Sequence, residues 1–327
     1  MGWARNSRLV RCFAHVEHGR VTAPAARIRV DLLLFLVAAS WGSTYLVAKE
    51  LVSTTSVLAL LAVRMVLAAA AMAAVVRVRR GRVSSAEVRV GGLLGLALAV
   101  VFVLETFGIA HTTATNAGLI ISLTMVMTPV LDAAVSGRRL PGGFFAAAVT
   151  AVVGVALLAG NGALTAPTAG DLLILLAAVA RAVHVTSMAR LTGGRSLDSL
   201  HLTTVQLTTC AVLFSLASLL HGDSVPHLLA GLDVTGVALL LYLVLVCTVF
   251  AFLVQTWAVR RTSPSRVSLL LGTEPVWAAV CGIAIARDEV SAAGLCGIVL
   301  ILVGTAWGRS VEQRHRLVTA EGAFTGG

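Results

Sequence analysis

Apolar residues run through this chain in long blocks, with polar residues confined to short gaps between them. A helix needs about 20 mostly apolar residues to cross a bilayer. Ten blocks are close to that length, at about 31–51, 56–76, 90–110, 114–135, 142–159, 170–190, 199–220, 234–258, 265–286 and 291–308. No gap is long enough to fold as a soluble domain. The pattern predicts an all-α integral membrane protein with ten transmembrane helices.

The arginines alternate with the spans. Six precede span 1, at Arg5, Arg8, Arg11, Arg20, Arg27 and Arg29. The gap after span 2 holds Arg77, Arg79, Arg80, Arg82 and Arg89, and that after span 4 holds Arg138 and Arg139. Arg190 and Arg195 follow span 6, Arg260, Arg261 and Arg266 follow span 8, and Arg309, Arg314 and Arg316 follow span 10. The other gaps are nearly bare, with Lys49 and Arg287 alone near that side. Cytoplasmic loops are enriched in Lys and Arg, so both termini are expected in the cytoplasm. Residues 1–30 read as a cytoplasmic Arg-rich arm and 309–327 as a cytoplasmic tail. The arm has no long apolar core of the kind a cleaved signal peptide carries.

Composition agrees. The chain is 58% hydrophobic and only 12% charged, with mean hydropathy +0.94. A soluble domain is about a quarter charged, so this chain has too few polar side chains to cover a globule. The net charge of +10 sits in gaps between apolar runs. It therefore fits a bilayer surface rather than nucleic acid. Lys49 is the only lysine, and with abundant Ala, Val, Leu and Gly this suggests a high-GC bacterium and its inner membrane. The cysteines, Cys12, Cys210, Cys247, Cys281 and Cys296, are odd in number and form no CxxC, so neither a disulfide framework nor a metal site is expected.

The chain also repeats itself. Shifted by about 140 residues, DLLLFLVAASWGSTYLVAKEL from Asp31 lies over DLLILLAAVARAVHVTSMARL from Asp171. Shifted by about 150, LETFGIAHTTATNA from Leu104 lies over VQTWAVRRTSPSRV from Val254, and Gly154 falls on Gly304. Spans 1–5 (31–160) thus match spans 6–10 (170–308). Five is odd, so the second copy enters the membrane from the opposite side. Inverted five-helix repeats of this kind are typical of secondary transporters.

At these residues the chain resembles the drug/metabolite transporter superfamily, in particular its EamA-type members. AASWGSTYLVAKEL, VRMVLAAA with Arg64, FGIAHTTATNAGLIISLTMVMTPV and FLVQTWAVRRTSPSRVSLLLGTEPVWAAV carry the resemblance. It implies ten helices in two inverted halves around a central cavity. It also implies alternating-access movement of small organic molecules, often outward, with proton coupling or exchange in some members. Arg138 and Asp288 stand where the family often has Glu, and Glu105 where it more often has Gln.

Ionisable groups within spans usually face a bundle interior or a wet cavity. At about 1.5 Å per residue, Glu105 lies in the outer third of span 3 and Arg64 about 12 Å into span 2. Glu105 is the expected proton-coupling group; the alternative is a static pair with Arg64. Gln255 is its repeat partner near the inner end of span 8. Trp41 and Arg181, also repeat partners, fall near the midplane, as does Glu274, the expected acid for Arg181. Thr44, Tyr45 and His184 complete the expected substrate-binding set with Trp41, Arg64, Arg181, Gln255 and Glu274. Thr124, Thr128 and Asn116 are more simply structural. Pro129 and Pro275 are expected weak points for gating. Gly91, Gly92, Gly95, Gly118, Gly154, Gly297 and Gly304 are expected to let helices pack closely.

No HExxH, GxSxG or GxxxxGK[ST] occurs, so the expectation is a transporter and not an enzyme, with no catalytic residues and no cofactor. A small organic metabolite or drug and the lipid bilayer are the expected partners, nucleic acid is not, and a homodimer is left open. A channel or scaffold without active transport is the alternative.

Overall fold

A computed structural model describes residues 24–52, 56–112, 117, 120–137, 140–159, 168–222, 225–281 and 292–325. Among these, regular structure is helical and no strand occurs. We label the main helices α1 (Pro24–Val52), α2 (Val57–Val78), α3 (Ser85–His111), α4 (Thr124–Ser136), α5 (Gly142–Ala159), α6 (Ala169–Thr192), α7 (Ser199–His221) and α8 (Val234–Arg261). α9 comes in two halves, Pro264–Leu271 and Glu274–Cys281, and α10 is Ala292–Thr325. A short helix, Val225–Gly231, links α7 to α8. Helices α2, α3, α6, α7 and α8 are long and apolar enough to cross a membrane, and shorter apolar helices cover Ile120–Ser136, Gly142–Leu157 and Ala292–Gly308. The chain is a multi-pass helical membrane protein, and the ten-span reading is consistent with these elements.

The polar gaps start the helices. The Ser56 hydroxyl accepts from Ala59 N ahead of α2. Ser84 and Glu87 form a reciprocal capping box at α3, and Thr168 and Asp171 form one at α6. Asp198 caps α7, Asp233 caps α8, and Ser263 caps α9 with Pro264 at its first position. Each cap satisfies backbone N–H groups that have no partner within the helix, so the gap residues fix where each apolar block begins.

Packing follows the repeat. α2 lies on α7, α4 on the first half of α9, and α5 on α10, each a helix against its own counterpart. The pairing of α3 with α6 is mirrored by α8 with α1, and that of α4 with α6 by α9 with α1. These pairings recur when the two halves are exchanged. One large core includes Leu34, Met65, Leu98, Met188, Leu202 and Val254. Outward positions such as Leu36, Val66, Leu93, Leu176, Val212 and Leu241 remain exposed and apolar, as a lipid-facing surface requires.

Gly154 and Gly304, equivalent in the repeat, sit where α5 and α10 touch backbone to backbone. A Cβ at Gly154 would lie 2.7 Å from the Gly297 carbonyl oxygen, and one at Gly304 2.7 Å from Ala151 N. Gly91 and Gly95 similarly admit α7. Gly92 does not serve the expected packing role, because nothing lies within 4 Å of its absent side chain. Gly118 lies outside the described residues.

The arginine-bearing helix ends share one end of the bundle. Glu87, at the start of α3, holds His201 of α7 at 3.1 Å and accepts from Asp198 N at 2.8 Å. Arg260, ending α8, donates to Ser199 at 2.7 Å, and Arg190, ending α6, donates to Ser136 at 3.0 Å. Arg266, opening α9, donates Nε and Nη2 to Asp31 at 3.1 and 2.7 Å. At the arginine-poor end, Thr112 after α3 donates to Asp171 of α6.

Candidate functional site

Both α4 and α9 are interrupted at equivalent places. A turn at Leu123 precedes α4, and Gly272 and Thr273 divide α9. Leu123 and Thr273 are 150 residues apart, the register of the repeat. Thr124 and Glu274, which open the helices after these turns, are equivalent too. Pro275 stands just beyond its break, whereas Pro129 lies inside α4. Gly272 lets the two breaks meet, since a Cβ there would come within 2.9 Å of Met125 Sδ. Broken helices near mid-depth are where helical transporters expose polar backbone and side chains to a cavity.

Arg181 of α6 is the hub. Its Nη1 is 3.3 Å from Glu274 Oε2 and its Nη2 is 3.9 Å from Glu105 Oε2. Its guanidinium lies over the Trp41 indole, 4.5 Å from the ring centroid. Trp41 and Arg181 are repeat partners, so the two copies of one position meet face to face. A cation on an aromatic face between two carboxylates is a well-compensated buried charge. Trp41 in turn donates its N–H to the Cys247 carbonyl at 3.0 Å and packs 5.4 Å from Phe252.

Arg64 is held differently. The sequence allowed an ion pair with Glu105, but Arg64 Nε donates to Thr248 at 2.7 Å and its guanidinium sits 5.0 Å above Phe102. Packing explains this: α2 lies chiefly on α7, with only slight contact to α3, while α8 brings Thr248 to it. Thr248 belongs to a π-helical turn, Leu245–Phe250, and its hydroxyl donates to Leu243 O at 2.8 Å. The wider π turn offers Arg64 an acceptor and Trp41 a carbonyl from adjacent residues. Such turns recur at functional sites.

These groups border a partly open cavity. Trp41, Thr44, Arg64, Glu105, Arg181 and Glu274 line it, with Phe102, Thr106 and Phe252 among the others. Its lining also includes Val52, Leu60 and Ile109, near the arginine-poor ends of α1, α2 and α3. A second, smaller cavity, with room for little more than a water or an ammonium group, lies against Gln255, Ser268, Thr124 and Pro275. Arg181 and Glu274 line both, so their ion pair stands between the two spaces.

Seven of the eight residues expected to bind substrate are described with side chains. Six of them, Trp41, Thr44, Arg64, Arg181, Gln255 and Glu274, face these cavities, with Glu105 beside them. His184 lines neither; it is buried between α6 and α7, bonded to Gln206 at 2.9 Å. Thr44 donates to Ser40 O. Thr128 is buried with no partner for its hydroxyl. Tyr45 is described by its backbone alone, and Asn116, Arg138 and Asp288 lie outside the described residues. Phe102, Phe252, Thr248 and Ser268 were not anticipated. The lone hydroxyl of Thr248 in LVLVCTVFAFLV was the available signal for the π turn.

Two helical repeats closing on a charged, partly enclosed cavity define a membrane transporter of the inverted-repeat type. Comparison with known proteins gives the family: the model of the EamA-like transporter family matches residues 28–160 and 168–307, and the chain belongs to that family. It is 25% identical over 280 residues to a protein of Archaeoglobus fulgidus described as an uncharacterized transporter, covering 85% of this chain and 84% of that one. A protein of known crystal structure shares the fold with TM-score 0.72 at 19% identity, over 88% of this chain and 98% of that one.

Proposed function

We propose that the protein is a secondary transporter that exports a small zwitterionic metabolite, such as an amino acid, by alternating access coupled to protons. The observation that carries this reading is the unequal pairing of charges around the larger cavity. Arg181 makes ion pairs with two carboxylates, while Arg64 feels the Glu105 charge across the cavity without a carboxylate at ion-pair distance among the described residues. A substrate carboxylate fits Arg64, whose planar guanidinium suits bidentate binding. A substrate ammonium fits Glu105 and Glu274. The apolar body of the substrate packs on Phe102, Phe252 and Trp41.

The arginine-rich end faces the cytoplasm of a bacterial inner membrane by the distribution of basic residues, which puts both termini inside. Glu105 then stands on the outer side of the Arg181–Glu274 pair. A proton arriving there cancels its charge and releases the ammonium outward. Pro129 and Pro275 adjoin the segments that move. Chemistry is confined to binding and proton transfer, with no catalytic step.

The test is amino-acid uptake and efflux in proteoliposomes with an imposed pH gradient, comparing wild type with Glu105→Gln. Gradient-driven transport that becomes insensitive to the gradient in the variant is the expected outcome. Transport whose pH dependence survives the substitution removes Glu105 as the coupling group. Diffusive, non-saturating flux would favour a channel.

A further inference from the structure

The smaller cavity holds an acceptor with nothing to accept. Gln255 is only 1% exposed, its side chain borders this space, and its Oε1 is buried without a hydrogen-bond partner. A buried unsatisfied acceptor is costly. The neighbouring hydroxyls do not relieve it: Ser268 donates to the Thr124 carbonyl at 3.0 Å, and Thr124 donates to the Ile121 carbonyl at 2.7 Å. Across the same cavity lies Glu274, whose carboxylate faces the larger cavity as well.

The repeat gives this placement a meaning. Gln255 and Glu105 are the same position in the two copies, and they stand on opposite sides of the Arg181–Glu274 pair. Each cavity therefore offers Glu274 together with one further acceptor. In the larger cavity that acceptor is the Glu105 carboxylate; in the smaller it is the Gln255 amide oxygen. An ammonium has three N–H donors and no acceptor, which matches two acceptors and a remaining water.

We infer that the smaller cavity is a second binding site for the amino group of the substrate, in which Gln255 replaces Glu105 as the partner opposite Glu274. This rests on the zwitterion reading above. The amine keeps Glu274 as it crosses and exchanges a neutral partner for a charged one. Binding is consequently weaker on the arginine-rich side, where a metabolite is made and abundant, and tighter on the other. Release from the tighter side is then the step that needs Glu105 to take up a proton.

The experiment uses the full-length protein in oriented vesicles. L-leucine and L-phenylalanine are the probes, with 4-methylpentanoate and 3-phenylpropionate as partners lacking the amine. KM is measured separately from each face. Gln255→Glu is expected to lower KM for the amino acids at the arginine-rich face by roughly tenfold, the worth of one hydrogen bond to a charged group. Gln255→Leu is expected to raise it by about the same factor. KM at the other face, and competition by the deamino acids, are expected to move less than about twofold. The two variants push in opposite directions, so a folding defect in Gln255→Leu does not imitate the pair of shifts.

Amino-acid transport that proceeds with KM unmoved at both faces in both variants overturns the second site alone. An equal shift for the deamino acids does the same, because Gln255 would not then be reading the amine. A wild type that handles none of the four probes overturns the zwitterion reading and this site with it.

Discussion

Asp31 and Asp171 are the same residue in the two repeats, and they fasten the two ends of the bundle in different ways. Asp31 lies about two turns into α1 and Asp171 in the first turn of α6, and each binds the corner between the third and fourth helices of the other repeat. At the arginine-rich end, Asp31 meets a guanidinium, with Arg266 Nη2 2.7 and 2.8 Å from its two oxygens. At the arginine-poor end, Asp171 is occupied locally, accepting from Thr168 N at 2.6 Å, and receives the neutral Thr112 hydroxyl from across the interface. One end is closed by opposite charges, the other by a helix cap that happens to reach a neighbour. Inverted copies with one sequence ancestry therefore need not resist opening equally, and the inequality lies in the partner, not in the aspartate.

Four substitutions probe that contrast, and the largest effect is expected at the centre that both ends share. Arg181→Ala removes the cation that Glu105 and Glu274 share, at about 4 kcal/mol. Thermal unfolding in detergent should fall accordingly and transport should vanish; pairing it with Glu274→Ala should recover stability but not transport. Next comes Arg266→Ala, which takes the guanidinium from Asp31 at the arginine-rich end and should cost about 3 kcal/mol. If the denaturation midpoint moves no further for it than for Asp171→Ala, the two ends are fastened alike and the contrast is wrong. Asp171→Ala removes one half of the α6 capping box and leaves Thr168 as its N-cap, worth about 1 kcal/mol; hydrogen exchange should quicken in the first turn of α6 and hardly elsewhere. Smallest is Thr112→Val, about 1 kcal/mol. A double-mutant cycle with Asp171→Ala should show most of that loss to be shared, and full additivity would mean the cross-repeat bond contributes nothing.

The sequence made the helices, the repeat and the polarity of the ends readable because these are periodic properties. Blocks of about 20 apolar residues, an arginine count that alternates, and a constant register survive averaging over many positions. The midplane depth of Trp41, Arg181 and Glu274 also followed, since depth is residue number times rise. Which side chains touch did not follow. Depth placed Arg64 and Glu105 on the outer side and both do line one cavity, but depth says nothing of rotation about a helix axis: α2 turns toward α7 and α8, so Arg64 bonds Thr248 and feels Glu105 without a direct ion pair. His184 sat at a suitable depth and points into the α6–α7 seam toward Gln206. Gly92 belongs to a run of glycines on α3 and faces away from α7. In each case the missing information was angular.

The π turn of α8 carries that angular information in another form. Seen as an event in the history of the gene, Leu245–Phe250 is one residue more than a regular helix can hold. Its counterpart in α3 runs as ordinary helix. The register of about 150 that aligns the repeats beyond the turn should therefore slip by one before it. Deleting one residue there would mend the helix and turn everything ahead of it by about 100°. The bonds from Trp41 to Cys247 and from Arg64 to Thr248 would then lose their place. A single inserted codon is enough to make two copies of one helix present different surfaces to the same cavity.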